Sequence, residues 1–266
     1  LCQQTYPRDC FEIVVADNNS PEGIEAVAKV VGNRAKLITV LEQGAGPARN
    51  GGVNFSVGEV LAFIDSDCRP EREWMVEGVK ALAVFDFVGG RVNVEVDDVL
   101  NMTGAEAFER VFAFDFEHYI EKKGFTGTGN LFCGRALFEC LGGFRSGLSE
   151  DVEWSHRARK AGYRLGYAPK AVVAHPARKT WVELRNKWRR INAETYALRT
   201  CTVEGRLTWV AKSLALPASA VIHSGKVLIS KNLYTPRQRI AAIGILFRLR
   251  WWRMIDSFRL LFHRVG

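Results

Sequence analysis

The sequence predicts an α/β fold: a mostly parallel sheet with helices on both faces, followed by a basic helical C-terminal tail. Short β-branched runs alternate with longer stretches of helical period, the pattern that builds a parallel sheet. Several of those runs end in acidic or Asx-rich turns, where ligands collect at the strand C-termini of such sheets. Charge is also segregated. Residues 1–175 hold 19 Lys/Arg against 25 Asp/Glu, a net −6, whereas residues 176–266 hold 18 against 4, a net +14. The overall +8 therefore belongs to the C-terminal third.

The elements follow in order. Residues 1–4 read as the end of a helix stopped by Tyr6-Pro7. Residues 11–16 form a buried strand closed by the turn and cap cluster Asp17-Asn18-Asn19-Ser20-Pro21. A helix over 23–31 and a strand over 35–41 come next. Gln43-Gly44-Ala45-Gly46-Pro47 opens a helix through about residue 56. The strand 59–64 then delivers Asp65-Ser66-Asp67, and a helix spans 71–83. Residues 87–96 predict a longer strand, and 104–120 an aromatic-rich helix. Residues 126–132 are a loop leading into a strand, and 135–141 a short helix. A helix over 151–161 begins on an acidic turn, which suits its dipole. Residues 164–173 predict a pair of strands broken at Pro169, and 181–199 a basic helix. After Cys201 apolar residues interleave with Lys and Arg. The reading divides the chain at 1–200 and 201–266.

Composition narrows the class. A chain of 266 residues with 47% hydrophobic and 25% charged residues carries an ordinary globular core. Its cysteines, at 2, 10, 68, 133, 140 and 201, have no zinc-ligand spacing, and so long a chain needs no disulfide staples. Both point to a reducing cytosol. The apolar run 240–247 is too short to span a bilayer, so attachment, if any, is peripheral. From 248 to 264 the residues Leu249, Trp252, Ile255, Phe258, Leu261 and Phe262 recur at helical spacing. Arg250, Arg253, Arg259 and Arg264 lie largely off that stripe, which suits a helix in an anionic membrane interface or one packed on the protein.

Two acidic clusters carry the chemistry. Asp65 and Asp67 stand at the tip of a strand, where paired carboxylates suit a divalent metal that holds a diphosphate. Glu150-Asp151 lies far off in sequence and suits a general base. Together they indicate group transfer from a nucleotide diphosphate donor.

On an ordered set of motifs the chain resembles the family-2 glycosyltransferases of the GT-A fold, a Rossmann-like arrangement. The set runs Glu12-Ile13-Val14-Val15-Ala16-Asp17-Asn18-Asn19-Ser20, then Gly46-Pro47-Ala48-Arg49-Asn50-Gly51-Gly52, then Phe63-Ile64-Asp65-Ser66-Asp67. It continues with Gly129-Asn130-Leu131, Leu141-Gly142-Gly143-Phe144, Glu150-Asp151-Val152-Glu153, and Ala161-Gly162-Tyr163 leading to Ala174-His175. The family's first strand, with its Pro-X-Tyr/Phe-Asn motif, has no counterpart. The resemblance thus implies a missing central strand, which would expose backbone groups on both its neighbours. Processive members carry Gln-X-X-Arg-Trp beside membrane spans. Arg185-Asn186-Lys187-Trp188 only approximates that motif, which argues against processive synthesis.

By this resemblance Asp67 would ligate Mn²⁺ or Mg²⁺, and Asp65 would contact the donor ribose or the metal. Asp17 would read the base or ribose, or only close an Asx turn. Arg49 would face the donor phosphates or base, or solvent. Asp151 would be the base of an inverting transfer and Glu150 its orienting partner; both could also cap a helix. His175 would complete the metal shell, touch the diphosphate, or serve structure alone. Gly129 and Asn130 would shape the acceptor side, largely through backbone groups. The implied activity moves one sugar from a nucleotide diphosphate sugar, commonly UDP-linked, to an acceptor hydroxyl. A lipid-linked or cell-surface saccharide fits the tail, at the cytosolic face. Alternatives are a nucleotidyltransferase, a nucleic-acid binder using the basic tail, which salt-sensitive DNA or RNA binding would reveal, and a non-catalytic relative.

Overall fold

The computed structural model describes residues 1–199 and 202–262. The chain divides into two compact units, Leu1–Asn93 with Asp115–His175, and Val94–Phe114 with Pro176–Gly266. The 200/201 division drawn from sequence, Cys201 and Arg264 lie outside the described residues. The second unit starts earlier in the chain than that division.

In chain order the elements are β1 (Val14–Asp17), α1 (Ile24–Val31), β2 (Lys36–Thr39), α2 (Ala45–Phe55), β3 (Val60–Ile64), β4 (Arg69–Pro70), α3 (Trp74–Leu82) and β5 (Phe87–Glu95). Then come α4 (Gly104–Phe112), α5 (Phe116–His118), β6 (Asn130–Gly134), α6 (Arg135–Leu141), α7 (Glu150–Lys160) and β7 (Leu165–Pro176). Three long helices complete the described chain: α8 (Trp181–Arg199), α9 (Val203–Ile229) and α10 (Pro236–Phe262).

The α/β architecture matches expectation, but the pairing is not mostly parallel. β1 and β2 pair in parallel as a sheet of their own, and β5 runs in the same direction as its neighbour β7, with the Asp86 N–H on the Arg164 carbonyl at one end and the Ala177 N–H on the Glu95 carbonyl at the other. The main sheet runs β3-β6-β5-β7-β4, and the registers of β3 on β6, β5 on β6 and β4 on β7 are antiparallel. Among the described residues β1 pairs with β2 alone, and β3 forms an edge of the main sheet.

Three further expectations need correction. Residues 1–4 form a turn, not a helix end. Gln4 Oε1 accepts the Met75 N–H at 3.0 Å, satisfying one of the free donors at the start of α3. The helix expected over 104–120 is broken after α4. Phe114 takes a left-handed backbone (φ 57°), and the Asp115 carboxylate accepts the His118 N–H at 3.3 Å to start a new turn. Residues 165–176 are one strand with Pro169 inside it. β4 reaches only Ala174 and Val173, so Pro169's missing N–H breaks no ladder bond on that side.

Two groups of buried side chains hold the first unit around the site. Phe63, Phe87, Phe138, Phe144 and Trp154 form one core. Trp154 meets the Phe87, Phe138 and Phe144 rings at 5.3, 5.7 and 5.9 Å, which seats the first turns of α7 against the sheet. Asn130 forms the second. Its fully buried amide accepts from Trp74 Nε1 and donates to the carbonyls of Arg91 and Ala171, each at 2.9 Å. One side chain thereby ties β6, β5, β7 and α3. A Cβ at Gly90 would collide with the Ala171 carbonyl and the Asn130 amide, so glycine is required there.

The second unit packs α4, α8, α9 and α10 around Phe108, Leu184, Ala220, Val227, Leu246 and Leu249. Thr103 and Glu106 cap α4 reciprocally. The stripe expected on α10 is out of phase with its free face. Leu249 is in the core and Trp252 packs on it, while Ile255 and Phe262 are exposed. Arg253, expected off the stripe, is inside: its Nε bonds Asn192 Oδ1 at 3.0 Å. No helix among the described residues is long and apolar enough to cross a membrane.

Replacing Asn130 by alanine leaves the Trp74 indole and two carbonyls without partners. Asn130→Ala is expected to cost more than about 2 kcal/mol, read as a fall in the urea midpoint with unchanged slope.

Candidate active site

The site grows from the C-terminal tip of β3. Asp65 follows that strand directly, and the Cys68 N–H bonds the Asp65 carbonyl at 3.0 Å, closing a turn that presents Asp67. The next residues are β4, whose register pairs Arg69 with Ala174 and Pro70 with Val173. Cys68 therefore stands one rung on, beside His175. Carboxylate, thiol and imidazole ligand atoms of Asp65, Asp67, Cys68 and His175 all lie within 4.8 Å of one another. His175 Nε2 is 3.4 Å from Asp67 Oδ2, with the imidazole buried and the Asp67 side chain 50% exposed. Two carboxylates and a ring nitrogen this close, one arm open to solvent, fit a divalent cation. Cys68 was missed by sequence reasoning, because only the β4–β7 pairing brings it alongside His175.

Arg49, on α2, joins the two acidic clusters. Its Nη2 meets Asp65 Oδ1 at 2.6 Å and its Nη1 meets Glu150 Oε1 at 2.7 Å. Both carboxylates are partly buried, with side chains 35% and 17% exposed. A fork of fixed geometry thus sets the spacing between the metal side and the start of α7. Asn50, the next residue, bonds the Phe144 carbonyl and N–H at 2.8 and 2.9 Å, tying α2 to the loop that leads into α7.

Asp151 sits in the first turn of α7. Its carboxylate accepts the Val152 N–H at 2.7 Å and the Ser149 hydroxyl at 3.1 Å. Burial, and then the neighbouring Glu150 charge, push its pKa above the ordinary 3.8; the two hydrogen bonds and Arg49 pull weakly the other way. A carboxylate raised in this way holds a proton more firmly, as a general base must.

Gly129 borders the Asp65 carboxylate. A Cβ there would stand 2.8 Å from Asp65 Oδ2, so glycine keeps that approach open. Asn130 leaves its backbone, the part expected to serve the acceptor side. Its side chain is wholly engaged inside the sheet. Asp17 is buried at the end of β1, where Oδ1 accepts the Ser20 N–H at 3.3 Å in an Asx turn. Among the described residues it makes no hydrogen bond to Asp65, Asp67 or Arg49. Its neighbour Asn18 shapes the loop before α2, donating to the Val40 and Glu42 carbonyls at 2.7 Å and accepting the Gly44 N–H at 2.8 Å.

These features define a mixed α/β transferase domain with an acidic, cation-ready cleft at a strand tip. Known proteins agree. The family model described as glycosyl transferase family 2 matches residues 1–151. Glycosyltransferase AglE of Haloferax volcanii is 35% identical over 197 residues, covering 71% of this chain and 64% of that protein. The chain thus spans under two thirds of that relative's length. Among solved structures, the mannosyltransferase PcManGT from Pyrobaculum calidifontis, in complex with GDP-Man and Mn²⁺, superposes with a TM-score of 0.60 at 21% identity. That match covers 99% of this chain and 81% of that one. The chain belongs to glycosyl transferase family 2 and has the GT-A glycosyltransferase fold.

The Asp151 environment makes a directional prediction. Glu150→Gln removes the repelling charge and should lower the Asp151 pKa, while Arg49→Gln removes a favourable charge and should raise it. Carboxyl ¹³C NMR titration of aspartate-labelled protein measures both. Shifts in the opposite directions would show that Asp151 does not feel this cluster.

Proposed function

We propose that this chain transfers one sugar from a nucleotide diphosphate sugar to an acceptor hydroxyl with inversion at the anomeric carbon. The observation that carries the reading is the Arg49 bridge. It joins a cation-ready carboxylate pair to a second cluster whose aspartate has the raised affinity for a proton that deprotonating an alcohol requires.

Asp67, Asp65 and His175 would hold a divalent ion, Mn²⁺ or Mg²⁺. When bound, it neutralises the donor diphosphate and stabilises it as a leaving group. PcManGT, solved with GDP-Man and Mn²⁺, supports this assignment by fold alone. Arg49 fixes Asp65 and keeps Glu150 oriented. Asp151 accepts the acceptor hydroxyl proton as that oxygen bonds the anomeric carbon, opposite the breaking bond to the diphosphate. Gly129 keeps the approach to Asp65 clear, and Asp17 meets the nucleoside end of the donor.

The donor is UDP-linked in this reading. The acceptor is a lipid-linked saccharide met at the cytosolic face of an anionic membrane. The +14 of residues 176–266 supports peripheral attachment, as does the outer face of α9. There Leu207, Leu214, Val221, Ile222, Leu228 and Ile229 are exposed, with Lys212 and Lys226 among them.

Three outcomes are expected. Asp67→Ala, or excess chelator on the parent, abolishes metal-dependent nucleoside diphosphate binding in calorimetry; binding that survives chelator contradicts the metal assignment. Asp151→Asn leaves donor affinity intact and lowers turnover about a hundredfold or more. In the parent, the rate should fall as pH drops through the Asp151 pKa, with the acid limb above the usual aspartate range and shifted lower in Glu150→Gln. Co-sedimentation with anionic liposomes is expected to weaken with salt and with Ile222→Glu; parent left in the supernatant at low salt refutes membrane attachment.

A further inference from the structure

Cys68 lies inside the cation cluster, where an ion of the Mg²⁺ or Mn²⁺ kind, which prefers oxygen ligands, has little use for sulfur. Its place there follows from the β4–β7 register. Arg69 pairs with Ala174 and Pro70 with Val173, so the next rung sets Cys68 against His175. Residues directly opposite each other on an antiparallel pair send their side chains to the same face, with Cβ atoms roughly 5 Å apart. The Cys68 N–H on the Asp65 carbonyl, at 3.0 Å, holds the same residue against the aspartate turn. Its thiol is outside any disulfide and half-buried. The sulfur lies within 4.8 Å of a carboxylate oxygen of Asp65, one of Asp67 and a ring nitrogen of His175.

Two oxygens, a sulfur and a nitrogen thus surround one small volume. Around a tetrahedral zinc ion, neighbouring ligand atoms stand roughly 3.3–3.8 Å apart, as its bond lengths require. His175 Nε2 and Asp67 Oδ2 are already 3.4 Å apart. None of the other separations exceeds 4.8 Å, so the set closes by shifts of about an ångström. The Asp67 side chain, 50% exposed, has room to move. Arg49 holds Asp65 Oδ1 at 2.6 Å and leaves Oδ2 as that residue's donor.

We propose that Cys68 is a metal ligand, and that through it the cluster takes Zn²⁺ in a closed shell of Asp65, Asp67, Cys68 and His175. The inference rests on the reading of this cluster as the cation site for the donor. A thiolate selects Zn²⁺ over Mg²⁺ and Mn²⁺, and the thiol proton passes to the buffer as the ion binds. Four protein ligands complete a tetrahedron, the arrangement of zinc sites that keep no open position. A six-coordinate ion held by Asp65, Asp67 and His175 alone retains positions for diphosphate oxygens. Zn²⁺ therefore competes with the donor for this cleft instead of holding it, and Cys68 makes sugar transfer sensitive to free zinc.

The test uses the full chain, with Co²⁺ as the spectroscopic stand-in for Zn²⁺. In the parent, Co²⁺ should give a near-ultraviolet sulfur-to-cobalt charge-transfer band and the intense visible bands of a four-coordinate ion. Cys68→Ser should lose the first, while Cys10→Ser and Cys140→Ser, at exposed thiols, keep both. Calorimetry should show Zn²⁺ affinity lower by about tenfold or more in Cys68→Ser, with Mn²⁺ affinity little changed. Uridine and guanosine diphosphates serve as probes of the donor site. One equivalent of Zn²⁺ should abolish their Mn²⁺-dependent binding to the parent and not to Cys68→Ser. If Cys68→Ser does not melt cooperatively, alkylation of the parent decides: Zn²⁺, and not Mn²⁺, should protect Cys68 from iodoacetamide, as located by peptide mass mapping. A charge-transfer band unchanged in Cys68→Ser, or equal alkylation with either ion, overturns the assignment of Cys68. Weak six-coordinate visible bands, or nucleotide binding undiminished by Zn²⁺, overturn the closed shell. Absence of Mn²⁺-dependent nucleotide binding from the parent is a failure of the donor reading instead, and the cobalt spectrum then judges the ligand set without it.

Discussion

One guanidinium sets the arrangement of the acidic cleft. Without Arg49, the carboxylates of Asp65 and Glu150 would face each other partly shielded from water, and their repulsion would push β3 and α7 apart. With it, each carboxylate has a short charge-assisted bond, and two segments far apart in sequence acquire a fixed spacing. Lysine could not reproduce this, because a single ammonium lacks the two parallel donors that reach both acids. Burial and the Glu150 charge raise the affinity of Asp151 for its proton, and Arg49 opposes them.

Rigid supports hold that bridge. Trp154 seats α7 by wedging among Phe87, Phe138 and Phe144, so the helix that bears Glu150 and Asp151 is anchored one turn below them. Asn130 locks β6 between β5 and α3 immediately after Gly129, which lets a bare glycine approach Asp65 without the loop drifting. Packing and buried hydrogen bonds thus position the cleft, and the polar residues within it are free to carry charge.

Much of this was legible in the sequence, for physical reasons that differ by element. Helices α6 and α8 were visible because their periodicity and flanking residues agree with their packing. The turn after β3 was visible because an apolar run ending in two aspartates has few other uses. Strand order was not visible: β3, β5 and β6 are all buried apolar runs, and such runs look alike whether pairing is parallel or antiparallel. The phase of α10 was misread because Arg248 and Arg253 stack on Trp181 and Trp188 of α8, so a buried arginine looked like a solvent-facing one. Asn130 gave no sign of its load, since an asparagine before a strand reads as a turn residue. Cys68 stayed hidden because its neighbour comes from β7, more than a hundred residues away.

The brevity of β4 has its own consequence. Its two residues lock onto β7, so Cys68 and His175 face each other one rung beyond the last pair, and the turn carrying Asp65 and Asp67 is closed by a backbone bond. Most of the ordering entropy of this donor set is therefore lost when the chain folds and not when an ion arrives. As the proposed cation site, a donor set organised in that way would discriminate by ionic radius. It cannot shrink around a smaller ion or swell around a larger one without straining a sheet, and adaptation to a mismatched ion falls to Asp67, whose side chain alone in the set is half open to water.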